Sequence, residues 1–175
     1  MSLVRFQSSP LFNKKLTLNI WYYKKYMNKD FTITNAWKVI ESINWEKLCK
    51  QFDDNQKLLK EGEIMLYSLN LSDKNIIYTA NFVRNKINEI ESFIDGFSLG
   101  KYGSTYKFID TCFKHSISDD GYWDLCAHIV GLGETIFNNV KKDPMLILKY
   151  ENEYRENFEY IFSRALSNIE KSNGV

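Results

Sequence analysis

Glycine and proline are scarce in this chain, whose 175 residues include eight glycines and two prolines. Because residues that favour turns are so few, the composition disfavours a β-sandwich with its many short turns and favours long helices. No stretch approaches the roughly 18 consecutive apolar residues of a membrane span, so we expect no membrane partner. The first residues lack a basic segment followed by an apolar block, and no secretory signal is therefore expected.

Cysteine, histidine and the familiar catalytic patterns are also sparse. The three cysteines, Cys49, Cys112 and Cys126, are odd in number and lack C-x-x-C spacing. They are typical of reduced thiols, so we expect a cytoplasmic protein. The sequence contains no G-x-S-x-G, H-E-x-x-H or Walker A pattern. We therefore expect no cofactor.

The composition is that of one globular domain. Hydrophobic residues make up 44% of the chain and aromatic residues 15%, which is enough for a substantial core. The net charge of +1 conceals an asymmetry, because residues 1–26 carry five basic residues and no acidic one. The remaining 18 basic and 22 acidic residues give residues 27–175 a net charge of −4. That balance gives little reason to expect a nucleic-acid partner.

The first 26 residues differ in character from the rest. The stretch from Leu3 to Pro10 resembles an accidental translation of the 3′ end of a tRNA gene. One hypothesis is that Met27 is the native start and that residues 1–26 are an extension, not native or poorly ordered. The alternative is an interfacial segment from Leu16 to Tyr26, with aromatic residues between lysine pairs. Residues 27–175 are predicted to form a single helical domain.

Apolar spacing predicts an all-α fold of about six to seven helices. The clearest helix begins at Ser72-Asp73, where apolar residues then recur at steps of four and three. A helix capped by Thr34 and another over residues 45–59 are expected before it. The run at 63–69 is short enough to extend a helix or to form one short strand.

Two further expectations concern the second half of the chain. Gly96, Gly100 and Gly103 indicate a loop. Asp143-Pro144 is typical of a helix start. Behind it, aromatic and aliphatic residues from Tyr150 to Ile169 predict a long closing helix.

The most distinctive segment is Ser118-Asp119-Asp120-Gly121-Tyr122. Ser116 or Ser118 can cap a helix that begins near Asp119, with both carboxylates in its first turn. Unpaired amides and the helix dipole favour negative charge there. The aspartates are therefore explained as a helix start, while Asp119, Asp120, Tyr122 and Trp123 remain candidate binding residues.

From about Trp37 onward the chain resembles the bacterial domain-of-unknown-function family 4240. The resemblance rests on the S-D-D-G core at residues 118–121, followed by Gly133, Phe137 and Asp143-Pro144 at the family's offsets. Ala36-Trp37 matches an early family pattern more weakly. The resemblance implies an all-helical bacterial domain of the cytoplasm and supplies no reaction. The chain departs from the family pattern at Cys126, where arginine is usual, and at His128, where tryptophan is usual.

A metal-site hypothesis uses the two histidines of the chain. Asp120, Asp124 and His128 follow at successive i+4 positions and would share one helix face, toward which His115 could fold. Such a set suits Zn, Mn or Fe in hydrolytic chemistry. The alternative makes His128 a core residue and the aspartates capping or surface groups. We expect no metal.

Two classes of function remain open. The favoured one is a non-enzymatic protein-binding or regulatory module of the immunity type, with another protein as partner. The alternative is a metal-dependent, hydrolase-like enzyme that uses Asp119 and Asp120 as catalytic residues. The sequence leaves the oligomeric state open.

Overall fold

The computed structural model describes residues 31–115, 117–156 and 158–174, and every regular element within them is a helix. Eight α-helices and one 3₁₀ helix follow one another in these residues. They are α1 (Ile33–Ile43), α2 (Trp45–Gln51), α3 (Asn55–Ser68), α4 (Asp73–Tyr102), α5 (Thr105–Cys112), α6 (Asp119–Gly131), α7 (Glu134–Lys142), the 3₁₀ helix (Pro144–Tyr150) and α8 (Phe158–Ser172). The all-α prediction is confirmed, and the expected extension at 1–26 lies outside the described residues.

Helix α4 is the axis of the molecule. Its 30 residues give it a length of about 45 Å, and it contacts α1, α5, α6, α7 and α8. The predicted stripe of α4, from Ile76 to Ile90, is buried as its spacing requires. Ser72 caps the helix by accepting a hydrogen bond from the Asn75 amide. One hydrophobic core therefore forms around a central helix that the sequence predicts correctly at its start.

Aromatic rings fill that core and hold distant segments together. Trp37 of α1 lies against Phe82 of α4 and Phe137 of α7, with ring centroids 5.2 and 5.4 Å apart. Trp45 of α2 contacts Phe158 of α8 at 5.2 Å. These edge-on and tilted contacts are the arrangements that aromatic pairs prefer. No described helix is both long and apolar enough to cross a membrane.

In the first half, one predicted element was wrong and one open alternative is decided. The helix expected over residues 45–59 is two helices, because the Asp54 carboxylate accepts hydrogen bonds from the Gln56 and Lys57 amides and starts a new one. The possible strand at 63–69 is helical, as α3 extends to Ser68. Gly62 lets α3 approach α8 closely, since a Cβ there would lie 2.4 Å from Ile161 Cδ1.

Two predictions in the second half need correction as well. Gly96 and Gly100 lie inside α4, and only Gly103, with φ of 83°, ends that helix. A single glycine costs a helix about 1 kcal/mol, which packing along α4 outweighs. The closing helix begins at Phe158, so Tyr150 and Tyr154 precede it. Between them the buried Glu151 accepts a hydrogen bond from the Lys114 amide at 2.9 Å, which fixes a turn there.

Two other predicted helix starts are confirmed, and one is corrected. Ser118 caps α6 by accepting a hydrogen bond from the Gly121 amide at 3.1 Å. Asp143 caps the segment that Pro144 opens, although that segment is a 3₁₀ helix. The first helix is capped by Thr32 and not by Thr34. With eight α-helices in the described residues, the prediction of six to seven was low, mainly because short helices at 45–51 and 55–68 were merged.

The glycines provide a paired test of this packing. Gly131→Ala should destabilise the fold by about 1–3 kcal/mol, because the new Cβ would lie 2.7 Å from Trp45 Cδ1 and 2.9 Å from the Phe158 ring. Gly96→Ala should stabilise it by roughly 0.5–1 kcal/mol, since nothing lies within 4 Å and alanine favours the helix. Urea unfolding of both variants measures the difference. Equal effects of the two substitutions would contradict the packing described for α6.

Candidate functional site

A cavity of about 480 Å³ lies between α2, the end of α6 and the turn after the 3₁₀ helix. Helix α2 contributes one wall, and the segment from Tyr150 to Arg155 contributes the opposite one. The lining residues are Glu46, Cys49, Lys50, Asp53, His128, Leu132, Ile136, Tyr150, Asn152, Glu153 and Arg155. Of these, the sequence pointed to His128 as a metal candidate, to Cys49 as a reduced thiol and to Tyr150 as an apolar position of the closing helix.

His128 is anchored from two sides. Its ring is only 2% exposed, which confirms the interpretation of this residue as part of the core. The Trp45 indole Nε1–H donates a hydrogen bond to His128 Nδ1 at 3.0 Å. The Arg155 backbone amide also approaches Nδ1, at 3.4 Å. Both α2 and the segment after the 3₁₀ helix are therefore tied to the same imidazole nitrogen.

These contacts fix the chemical state of the imidazole. Burial, reinforced by the nearby Arg155 guanidinium, lowers the pKa of His128 to about 4. The ring is thus neutral at neutral pH. Because Nδ1 accepts hydrogen bonds, the single ring proton lies on Nε2. His128 can therefore donate a hydrogen bond, but it is poorly suited to take up a proton as a general base.

The neighbouring thiol is equally unreactive. Burial raises the pKa of Cys49 to about 12, although the Arg155 charge acts in the opposite direction. A thiol in this state is not a thiolate nucleophile at neutral pH. The inner surface of the cavity therefore offers protonated, uncharged groups beside one guanidinium.

Opposite charges partly neutralise one another at the rim. Lys50 and Glu46 form an exposed ion pair at 2.5 Å within one turn of α2. The Arg155 guanidinium lies 3.5 Å from a carboxylate oxygen of Asp53, whose side chain is fully exposed. Exposed pairs of this kind contribute little to stability. These side chains are consequently free to exchange partners when a ligand approaches.

The four candidate metal ligands do not form one site. His115 and Asp120 are exposed, whereas His128 is buried and bound to Trp45. Within the described residues, no group of three or more His, Cys, Asp or Glu side chains is placed to hold a metal ion. Asp120, Asp124 and His128 do lie at i+4 positions on α6, as predicted. Asp120 is exposed, Asp124 is half-buried and His128 is buried.

The residues of the S-D-D-G segment contribute to structure. Asp119 and Asp120 occupy the first turn of α6, as predicted. Tyr122 is 6% exposed, and burial raises the pKa of its hydroxyl. Trp123 is half-buried and donates its Nε1–H to Glu159 at 3.3 Å. The structure therefore places these two aromatic candidates in the packing of α6 and not around the cavity.

Asp124 is the residue of α6 whose negative charge is disfavoured by its surroundings. Burial raises the pKa of its carboxyl group to about 6, with further contributions from the carboxylates of Glu156, Asp120 and Glu159. Ionising Asp124 in the folded protein therefore costs free energy that the unfolded chain does not incur. Asp124 lies in the second turn of α6, so this electrostatic cost does not belong to the residues that start the helix.

Comparison of the chain with protein-family models, with curated proteins and with solved structures gave no match. The resemblance to family 4240 stays a prediction that rests on the spacing of Ser118-Asp119-Asp120-Gly121 and the residues after it. The cavity lining could not be found from sequence spacing, because its residues come from three distant segments, 46–53, 128–136 and 150–155. The one signal in the sequence was a histidine among apolar residues on a helix.

The lowered pKa of His128 predicts how stability depends on pH. The unfolded histidine binds a proton below about pH 6.5, while the folded one does so only near pH 4. The free energy of unfolding contributed by this group should therefore be complete above pH 6.5 and fall by about 3 kcal/mol as the pH drops to 4. Urea unfolding of wild type and His128→Gln over this range measures the slope. An identical slope in both proteins would contradict the buried, neutral state.

Asp124 should act in the opposite direction. Because its folded pKa is raised, stability should fall as the pH rises from about 4 to 6. Asp124→Asn should then stabilise the protein at pH 7 by about 1–2 kcal/mol, after allowance for solvent screening. Asp110→Asn, an exposed aspartate on α5, is the matched control. Thermal unfolding at pH 4 and pH 7 should show the gain only for Asp124→Asn and only at the higher pH.

Proposed function

We propose that this chain is a non-enzymatic protein-binding or regulatory module of the immunity type, and that the cavity beside His128 receives a segment of the partner. The observation that carries this proposal is the state of the cavity's inner groups. His128 is neutral with Nδ1 already bonded, and the Cys49 thiol is held protonated. Groups in these states favour hydrogen bonding over proton transfer or nucleophilic attack.

The lining favours a protein ligand over a small apolar one. Five of the eleven lining residues are charged, whereas small-molecule sites are lined mostly by apolar side chains. A ring of exposed charges around a partly apolar floor matches the rim and centre of a protein interface. The volume of about 480 Å³ is enough for one or two side chains of a partner segment.

The proposal includes a bacterial origin and a cytoplasmic location. The free thiols of Cys49, Cys112 and Cys126 are typical of a reducing compartment. The S-D-D-G pattern supports kinship with family 4240. The alternative is a metal-dependent hydrolase that would use Asp119 and Asp120. Neither residue is among the described residues that line the cavity.

Site-specific photo-crosslinking in the source cells tests the proposal. A benzophenone amino acid replacing Glu153 at the cavity rim should form a covalent adduct of discrete mass with one protein. The same probe at Glu170, an exposed position on α8, should not form that adduct. Asn152→Trp, which places an indole at the cavity mouth, should reduce the adduct about tenfold, as expected for a loss of about 1.4 kcal/mol in binding.

Two further arms separate the alternatives. The partner identified by mass spectrometry is purified, and its binding to the full chain is measured by calorimetry. An Asp119→Ala/Asp120→Ala variant should bind that partner as wild type does. Adducts at both probe positions alike, or no binding by the purified partner, would overturn the cavity as the binding surface. Metal-dependent turnover that the double variant loses would favour the hydrolase instead.

A further inference from the structure

One edge of the His128 ring, that of Nε2, has no hydrogen-bond partner among the described residues. The ring proton lies on Nε2, since Nδ1 accepts from Trp45 and Arg155. The buried side-chain atoms that lack partners in the described residues are Asn75 Oδ1, Ser98 Oγ and Tyr122 Oη. Because Nε2 is not among them, this atom is not fully enclosed, although the residue is only 2% exposed, and His128 is one of the residues that line the cavity.

Arg155 is a second donor among the lining residues. It lines the cavity together with His128 and Cys49, and its backbone amide lies 3.4 Å from His128 Nδ1. Its side chain is 39% exposed, and its ion pair with Asp53 is a long contact to a side chain that is fully in water. Most of the five guanidinium N–H donors therefore remain available. An oxyanion in the cavity would meet the imidazole N–H and the guanidinium together.

Burial decides between an anionic and a cationic ligand. The lining contains three carboxylates and two basic groups, so its charge alone would suit a cation. Two of the carboxylates, however, already face a cation: Glu46 pairs with Lys50, and Asp53 lies opposite Arg155. All three carboxylates lie on exposed residues, where water screens them. The inner groups are donors, and electrostatic attraction is stronger where water is excluded.

We infer that the cavity recognises the carboxylate of an acidic side chain in the partner segment, bound by the Arg155 guanidinium and the His128 Nε2–H. Leu132, Ile136 and the Tyr150 ring provide apolar surface for a neighbouring side chain of that segment. This inference rests on the proposed binding function and names the group that the cavity selects. The net charge of −4 over residues 27–175 does not oppose it, because long-range steering and local recognition depend on different charges.

Capped peptides that differ in one side chain test the inference on the full chain. The probes are acetyl-Ala-Leu-Glu-Leu-Ala-amide and its counterparts with glutamine or lysine in the central position. A fourth probe carries glutamine and a free carboxyl terminus. Binding is followed through the ¹⁵N NMR signal of the Trp45 indole N–H, which is assigned by its loss in Trp45→Phe. This N–H donates to His128 Nδ1, so its signal should shift when a ligand binds Nε2 of the same ring. The glutamate peptide should bind with a millimolar Kd, and the glutamine peptide at least about tenfold more weakly.

Variants of arginine identify the recognition group. Arg155→Gln should weaken binding of the glutamate peptide at least about tenfold. Arg155→Lys should weaken it less, because lysine keeps the positive charge but cannot bind a carboxylate through two parallel N–H groups. The backbone amide that meets His128 persists in both variants. Arg164→Gln is the matched control, because Arg164 forms a similarly long ion pair with Glu63 on the α3–α8 side. Its Kd should equal that of wild type.

The remaining outcomes separate the inference from the proposed function. Equal binding of the glutamate and glutamine peptides, or tighter binding of the lysine peptide, would overturn carboxylate recognition while leaving a binding cavity intact. Preference for the free carboxyl terminus would reject the acidic side chain as the ligand. If no peptide binds, the inference fails, whereas the proposed function still stands or falls by the Glu153 crosslink. An unchanged Kd in Arg155→Gln would likewise reject the assigned donor.

Discussion

The hydrogen bond from Trp45 to His128 is the contact on which the rest of this architecture depends. It joins α2 to α6, two helices with no sequence proximity, at the point where α8 also arrives through the Phe158 ring. Asn44 makes this possible, because its left-handed conformation, with φ of 55°, ends α1 and starts α2 within one residue. Gly131 leaves room for the Trp45 ring, since a Cβ there would collide with it. Replacing the indole would remove a buried partner and open space in the core at once.

The sequence was sufficient to predict structure where a single residue determines it, as at the start of a helix. Ser72 and Ser118 start helices because a hydroxyl at that position satisfies an otherwise unpaired amide. The apolar stripe of α4 was equally clear. The prediction failed where packing overrides a local preference, since Gly96 and Gly100 lie within a helix. At residues 63–69 the spacing left helix and strand open, and α3 extends through them to Ser68. Neither outcome depends on nearby residues alone, so spacing could not have shown it.

The candidate site illustrates the same limit more sharply. The S-D-D-G segment has unusual residue types, and in the structure Ser118 caps α6 while the two aspartates lie in its first turn. The cavity residues are ordinary in sequence, and they become a site only when α2 and the turn at 151–156 meet His128. Unusual composition marks local structure well, because caps and turns require particular side chains. A binding surface assembled from three segments requires only that each segment supply one suitable group.

The same burial that makes His128 structurally valuable also determines what the cavity can do. A solvated imidazole titrates near neutral pH and can serve as acid or base, whereas this ring is held neutral with one nitrogen occupied. Its remaining N–H has a fixed position, and Arg155 is brought beside it by a backbone contact to the very nitrogen that Trp45 occupies. Donors held in place before the ligand arrives lose little entropy on binding. Under the proposed function, stability and recognition share one interaction, so a substitution that frees the imidazole for proton transfer would loosen both walls of the cavity.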